Sequence, residues 1–124
     1  TIAFDTLTTS DSVNTGTEKS IDTSYIFNGV AKVWGQGEGD TVTLTGSFNQ
    51  SAITDNGTGQ FIHNFTNNMN NDDYSGLTTG TSGDHLISST GTTTTSSCRF
   101  DHYSQSNSAV DTGLHCMAIL GDLA

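Results

Sequence analysis

Four histidines (His63, His85, His102 and His115) and two cysteines (Cys98 and Cys116) are the side chains of this 124-residue chain best suited to bind a metal or move a proton. No His-x-His, His-x₃-His or Glu-x₂-His spacing brings two ring nitrogens onto one face of an element. A homotrimer could still gather three copies of His63 around an axis, whereas a hydrogen-bonded interior histidine requires no second copy. The run Asn70-Asn71-Asp72-Asp73 offers oxygen ligands but lacks the EF-hand pattern, and reads as a solvated turn. Catalytic arrangements are equally absent. There is no G-x-S-x-G elbow, and the adjacent carboxylates Asp72 and Asp73 diverge from each other in a turn. Gly35, Gly37 and Gly39 form a Gly-x-Gly-x-Gly run without a strand feeding a helix, and Glu38 inside it would repel phosphate. The expectation is therefore a protein that is not an enzyme, with no metal and no cofactor.

The cysteines lie at equal distances in sequence from Asn107. If the last two strands form an antiparallel hairpin centred there, Cys98 and Cys116 oppose each other at a Cα separation of about 4.5–5.5 Å, within reach of a disulfide. An intersubunit pair and two free buried thiols are the alternatives, and all three stay open at this point.

The elements that must position these residues read as short strands. Ser47–Phe65 contains a hairpin: the runs Ser51–Thr54 and Gln60–Phe65 flank Asn56-Gly57-Thr58-Gly59. Asn-Gly accepts the positive φ of a primed turn, and Gly59 permits a longer or bulged loop. Period-two alternation puts Phe61, His63 and Phe65 on one face of the returning strand. Further strands are expected over Thr1–Thr8, Tyr25–Trp34, Thr41–Thr45, Tyr74–Thr79, His85–Ser89, Ser97–Tyr103 and Leu114–Leu120. Gly35–Asp40 reads as a loop and Ser10–Ser24 as an extended connector. The run LHCMAIL at Leu114–Leu120 is apolar on both faces and fits a central strand or a subunit contact. Turn signals recur every 8–12 residues or so, as in a sandwich. The expected fold is all-β: one antiparallel β-sandwich or jelly-roll-like domain over 25–124, preceded by an N-terminal strand or arm and polar connector over 1–24.

Composition narrows the partners. Thr, Ser, Asn and Gly make up about half the chain, and hydrophobic residues only 31%. So thin a core favours copies that hide surface against one another. A net charge of −10, with three Lys and Arg in all, argues against nucleic acid and anionic membranes. No apolar stretch is long enough to span a bilayer as a helix.

Several of these segments, taken together, carry a resemblance. They are Asn28-Gly29 with Ala31-Lys32-Val33-Trp34, Gly46-Ser47-Phe48-Asn49, Ser51 with Ile53-Thr54-Asp55-Asn56-Gly57-Thr58-Gly59, Asn64-Phe65, and Ala118-Ile119-Leu120-Gly121-Asp122. This pattern resembles a module of tail-fibre and other virion structural proteins of bacteriophages, over roughly Leu7 to Asp122. The pairing of the A-K-x-W strand with the S-I-T-D-N-G-x-G hairpin is its most specific part. The chain departs from the module at Met69-Asn70, where a proline is usual, and at His63, where an apolar residue is usual. The resemblance implies a non-enzymatic β-rich knob, fibre or decoration element. It would form a homotrimer, be assembled in the host cytoplasm, be displayed on the phage particle beside other virion proteins, and meet the host surface. A lectin-like carbohydrate-binding module that reads a surface glycan is the alternative. The candidate contact loop is Asn56, Gly57, Thr58 and Gly59, and the candidate interface residues are Trp34 and His63.

Overall fold

The computed structural model describes residues 6–9, 19–22, 25, 27, 29–81 and 86–124. The chain divides into two compact units, Thr1–Val30 and Ala31–Ala124.

In the first unit, β1 (Thr6–Thr9) pairs antiparallel with β2 (Lys19–Asp22), with Leu7 opposite Ile21. The expected connector over 10–24 thus contains a strand; the rest of it, and residues 1–5, lie outside the described residues. Tyr25, Phe27 and Gly29 have helical backbone conformation. Of the strand expected over 25–34, the part from Ala31 onward is formed, and 26 and 28 lie outside the described residues.

Among the described residues the second unit has eight strands: β3 (Ala31–Glu38), β4 (Thr43–Phe48), β5 (Gln50–Gly57), β6 (Gln60–Phe65), β7 (Ser75–Thr81), β8 (Leu86–Thr93), β9 (Ser97–Ser104) and β10 (Leu114–Leu120). They make two antiparallel four-stranded sheets, in the orders β4-β3-β10-β7 and β5-β6-β9-β8. Side chains of both sheets meet in one interior, as the alternation of apolar residues requires of a β-sandwich. Val33, Met117 and Ile119 come from the first sheet, and Phe65, Cys98 and Phe100 from the second. The expected all-β sandwich is what forms, and β10 is indeed a central strand.

The chain passes between sheets after β4, β6, β7 and β9, and the first and last of these passages are polar corners. At Asn49 the backbone takes φ +55°, and the side-chain oxygen accepts from Asn67 N at 2.8 Å while the amide donates to Lys32 O at 3.2 Å. This turns β4, in one sheet, into β5, in the other. The second corner follows β9. Asn107 (φ +60°) reverses the chain, Tyr103 and Ala109 form a short bridge, and Val110 N donates to His102 O at 3.1 Å. The chain then leaves β9 and enters the other sheet as β10.

Gly35–Asp40 is not the loop its composition suggests. Gly35, Gln36, Gly37 and Glu38 continue β3, with the glycines buried and the longer residues exposed. A Cβ on Gly35 would collide with the Gln50 side chain, one on Gly37 with Ile53 Cδ1, and one on Gly39 with the Thr112 carbonyl. The strand presents a bare inner face because other side chains already fill the space against it.

Candidate functional site

The interior has an apolar half and a histidine half. Val33, Phe65, Met69, Cys98, Phe100, Met117 and Ile119 form the first. The second holds His63, His102 and His115, each with 0% of its surface exposed, together with Phe61, Gln50 and Thr112. Each histidine occupies an inward position of a period-two strand. His63 lies between Phe61 and Phe65 on β6, His102 follows Cys98 and Phe100 on β9, and His115 precedes Met117 and Ile119 on β10. The three rings and two phenyl groups pack on one another: Phe61 stacks on His115 with centroids 4.5 Å apart, and His63 meets Phe100 edge-on at 5.4 Å.

Polar contacts run through this packing. Gln50 Nε2 lies 2.8 Å from His63 Nδ1, and His63 Nε2 lies 3.2 Å from His115 Nδ1. Ser88 Oγ lies 2.8 Å from His102 Nδ1. Gln50 Oε1, His102 Nε2, Thr112 Oγ1 and His115 Nε2 are buried without a hydrogen-bond partner in the protein. Unpaired buried polar atoms are uncommon, since each forfeits its solvation. Burial, reinforced by the neighbouring His115 and His102, lowers the pKa of His63 to about 3. Burial, with His102 nearby, lowers that of His115 to about 4. Burial also lowers His102, against an opposing pull from Asp101. All three rings are buried and neutral at pH 7, and the contact between His63 and His115 joins the two sheets.

The other sequence-derived candidates are distributed as follows. His63 faces the interior of its own chain, so it is neither an interface residue nor a ligand on a trimer axis. Cys98 and Cys116 are free thiols in different sheets. Cys98 points inward opposite His63, and Cys116 sits between Gln36 and Thr79 on the outer side. The β9–β10 hairpin on which a disulfide between them depends does not form. His85 lies outside the described residues. Among the described residues, no group of three or more His, Cys, Asp or Glu is arranged to hold a metal ion.

The β5–β6 hairpin is present, with Ile53 opposite His63 and a bulge between Asp55 and Gly57. Its positive φ values fall on Gly57 (+127°) and Gly59 (+70°), and not on Asn56. Asn56, Gly57 and Thr58 are exposed, but Gly59 is buried. Gly59 N donates to Asp111 Oδ1 at 2.6 Å, and Gly59 O accepts from His102 N at 2.7 Å. The tip of the candidate contact loop is free, and its base is tied to the β9–β10 crossing.

Trp34 lies on the outer side of the first sheet. Phe48, Trp34, Ala118 and Leu77 are successive register partners across β4, β3, β10 and β7 and form one row. Trp34 is 46% exposed, Phe48 53% and Leu77 56%. Beside the row, Leu77, Thr78, Thr79, Cys116, Met117 and Ala118 line a shallow groove of about 280 Å³. The outer side of the second sheet is polar by contrast. There Arg99 pairs with Asp101 at 2.9 Å, and Asn64 donates to Thr54 Oγ1.

The histidines have no ligand spacing within one element, so their meeting across three strands is not visible in the sequence. The period-two positions of His102 and His115 were the available signal for their burial. Comparison with protein families, curated proteins and solved structures finds no match to this chain.

Proposed function

We propose that this chain is a non-enzymatic structural module of a bacteriophage virion, a fibre, knob or decoration element. It assembles as a homotrimer whose copies meet through the outer side of the β4-β3-β10-β7 sheet. The observation that carries the assembly is the row Phe48, Trp34, Ala118 and Leu77. Two aromatic residues and a leucine aligned across four strands form a continuous apolar surface of the kind that marks interaction sites. The row contains no charge, although the chain carries −10 overall. A second copy of so acidic a chain meets least repulsion where neither copy presents a carboxylate. The virion setting is supported by the resemblance of the Ala31-Lys32-Val33-Trp34 strand and the Ser51–Gly59 hairpin to phage structural modules. Display of many copies then converts weak contacts by exposed loop tips such as Asn56, Gly57 and Thr58 into firm attachment to other virion proteins or a host surface.

Native mass spectrometry of the purified chain tests the assembly. A trimer is expected, and Trp34→Ser combined with Leu77→Ser is expected to give monomer. A wild-type chain that stays monomeric at tens of micromolar refutes the trimer. Exposure of Trp34 also favours the lectin-like reading, because an open indole is a platform for a sugar face. Glycan-array binding that disappears in Trp34→Ala, while the oligomer is unchanged, would select that reading.

A further inference from the structure

The histidine half contains a polar link between the two sheets. His115 stands on β10 in one sheet and His63 on β6 in the other, with Nδ1 of the first 3.2 Å from Nε2 of the second. Gln50 ends the chain of contacts: its amide nitrogen faces His63 Nδ1 at 2.8 Å and also reaches the Ala52 carbonyl at 3.4 Å. The network assigns the protons in one direction. Gln50 Nε2–H donates to His63 Nδ1, His63 Nε2–H donates to His115 Nδ1, and His115 carries its hydrogen on Nε2.

Added protons meet a defined order of events. The first is accommodated if the chain reverses: His115 Nδ1–H donates to His63 Nε2, and His63 Nδ1–H donates to a rotated Gln50 amide. The Gln50 oxygen that would accept it has no partner in the present arrangement. A second proton has no such outlet. Two N–H groups then face each other across 3.2 Å, on rings whose centroids are 4.9 Å apart, with His102 6.3 Å from His115.

The surroundings offer little to offset these charges. Toward the rings, β3 presents Gly35 and Gly37, and the turn after it Gly39, while Glu38 points outward; β5 presents Gln50 and Ile53 while Asp55 is exposed at the hairpin end. From β6 comes Phe61, from β8 Ser88, from β9 Cys98 and Phe100, and from the β9–β10 crossing Thr112. The Asp101 carboxylate, which acts on His102, is held by Arg99 on the outer side, and Asp111 is exposed and bound to Gly59 N. Cys116 lies on the outer side of β10.

We propose that the Gln50–His63–His115 chain is an acid-operated latch. Uptake of a second proton breaks the inter-sheet link and parts the β3–β10 side from the β5–β6–β9 side at the histidine end, while the apolar half stays closed. The bare inner face of β3 is the second reason for opening there, since its glycines contribute no side-chain packing to hold the sheets once the link fails. The burial that lowers His63 and His115 favours proton binding by the opened state. The apolar half contains no histidine to respond.

Amide hydrogen exchange of the full chain between pH 7.5 and 4.5, corrected for intrinsic rates, tests the latch. Protection over 61–63 and 114–117 is expected to fall at least about tenfold, with a dependence of about two protons per opening, while protection around Phe65 and Ile119 persists. Uniform loss across 31–124, unchanged protection down to pH 4.5, or a dependence on one proton or fewer overturns it. In His115→Gln, which keeps polar groups but cannot be charged, the dependence at this end is expected to fall from about two protons per opening to about one, the remainder belonging to His63; retention of the wild-type dependence also overturns it. If that variant does not fold, the wild-type proton dependence decides alone.

Discussion

The side-chain oxygen of Gln50 occupies the space that a Cβ on Gly35 would need, so a glycine on β3 and an amide on β5 interlock between the two sheets. The same amide lies 2.8 Å from His63 Nδ1. Gly35→Ala is expected to displace Gln50 and leave His63 short of a partner, destabilising the chain by about 1–3 kcal/mol. Urea denaturation at pH 7.5 measures it. Gly46→Ala is the control: the nearest atom to its Cβ is Trp34 Cζ3 at 3.8 Å, an ordinary contact. Its effect should stay within about 0.5 kcal/mol. Equal stability of the two variants would show that the interlock does not matter.

Gly59→Ala should be the more damaging glycine change. The residue has φ +70°, and a Cβ would approach His102 O at 2.5 Å and Val110 N at 2.9 Å, all in rigid backbone. Left-handed geometry alone costs an alanine about 1 kcal/mol, and the clash adds to it. A loss exceeding about 2 kcal/mol is expected from thermal or urea unfolding, whereas Gly57→Ala has open space around its Cβ and pays only for backbone conformation.

Stability should fall on the acid side in a window set by the histidines. Unfolded histidine titrates near 6.5, while folded His63 is lowered to about 3 and His115 to about 4. Between those values the unfolded chain binds more protons than the folded one, so stability rises with pH there and is flat above about 7. A tenfold difference in proton affinity is about 1.4 kcal/mol, so the loss reaches several kcal/mol by pH 4. Urea midpoints at pH 7.5, 6 and 5 should decline steadily; a constant midpoint contradicts the prediction.

The two thiols should differ in reactivity. Burial raises the Cys98 thiol to about 11, and its side chain is fully enclosed. Cys116 is half-buried on the outer side. Intact mass after iodoacetamide treatment without reductant should show one fast modification in the native chain and two in guanidinium. A chain that resists alkylation in guanidinium until it is reduced would instead reveal a disulfide.

The inward alternation of Phe61, His63 and Phe65 was legible because a strand's side chains must alternate whatever it packs against. What His63 touches was not. Its partners Gln50 and His115 lie on other strands, and the second stands in the other sheet. The run Gly35–Asp40 misled for a related reason. Three alternate glycines look like a flexible loop until the side chains of Gln50, Ile53 and the Thr112 backbone are seen filling the space against them.

The segment from β9 to β10 separates the two kinds of information. A reversal near Asn107 follows from local chemistry, because Ser and Asn favour turns and asparagine tolerates the positive φ found there. Local chemistry also settles that Cys98, Phe100 and His102 share one face of a strand and His115, Met117 and Ile119 one face of the next. Whether that next strand stays beside β9 or crosses to the opposite sheet depends on where Gly37, Gln36 and Thr79 wait to pair with it. Those partners are remote in sequence, and only the assembled sheets decide among them. The crossing separates the cysteines, brings His115 over His63, and makes an unpromising scatter of histidines into the polar centre of the sandwich.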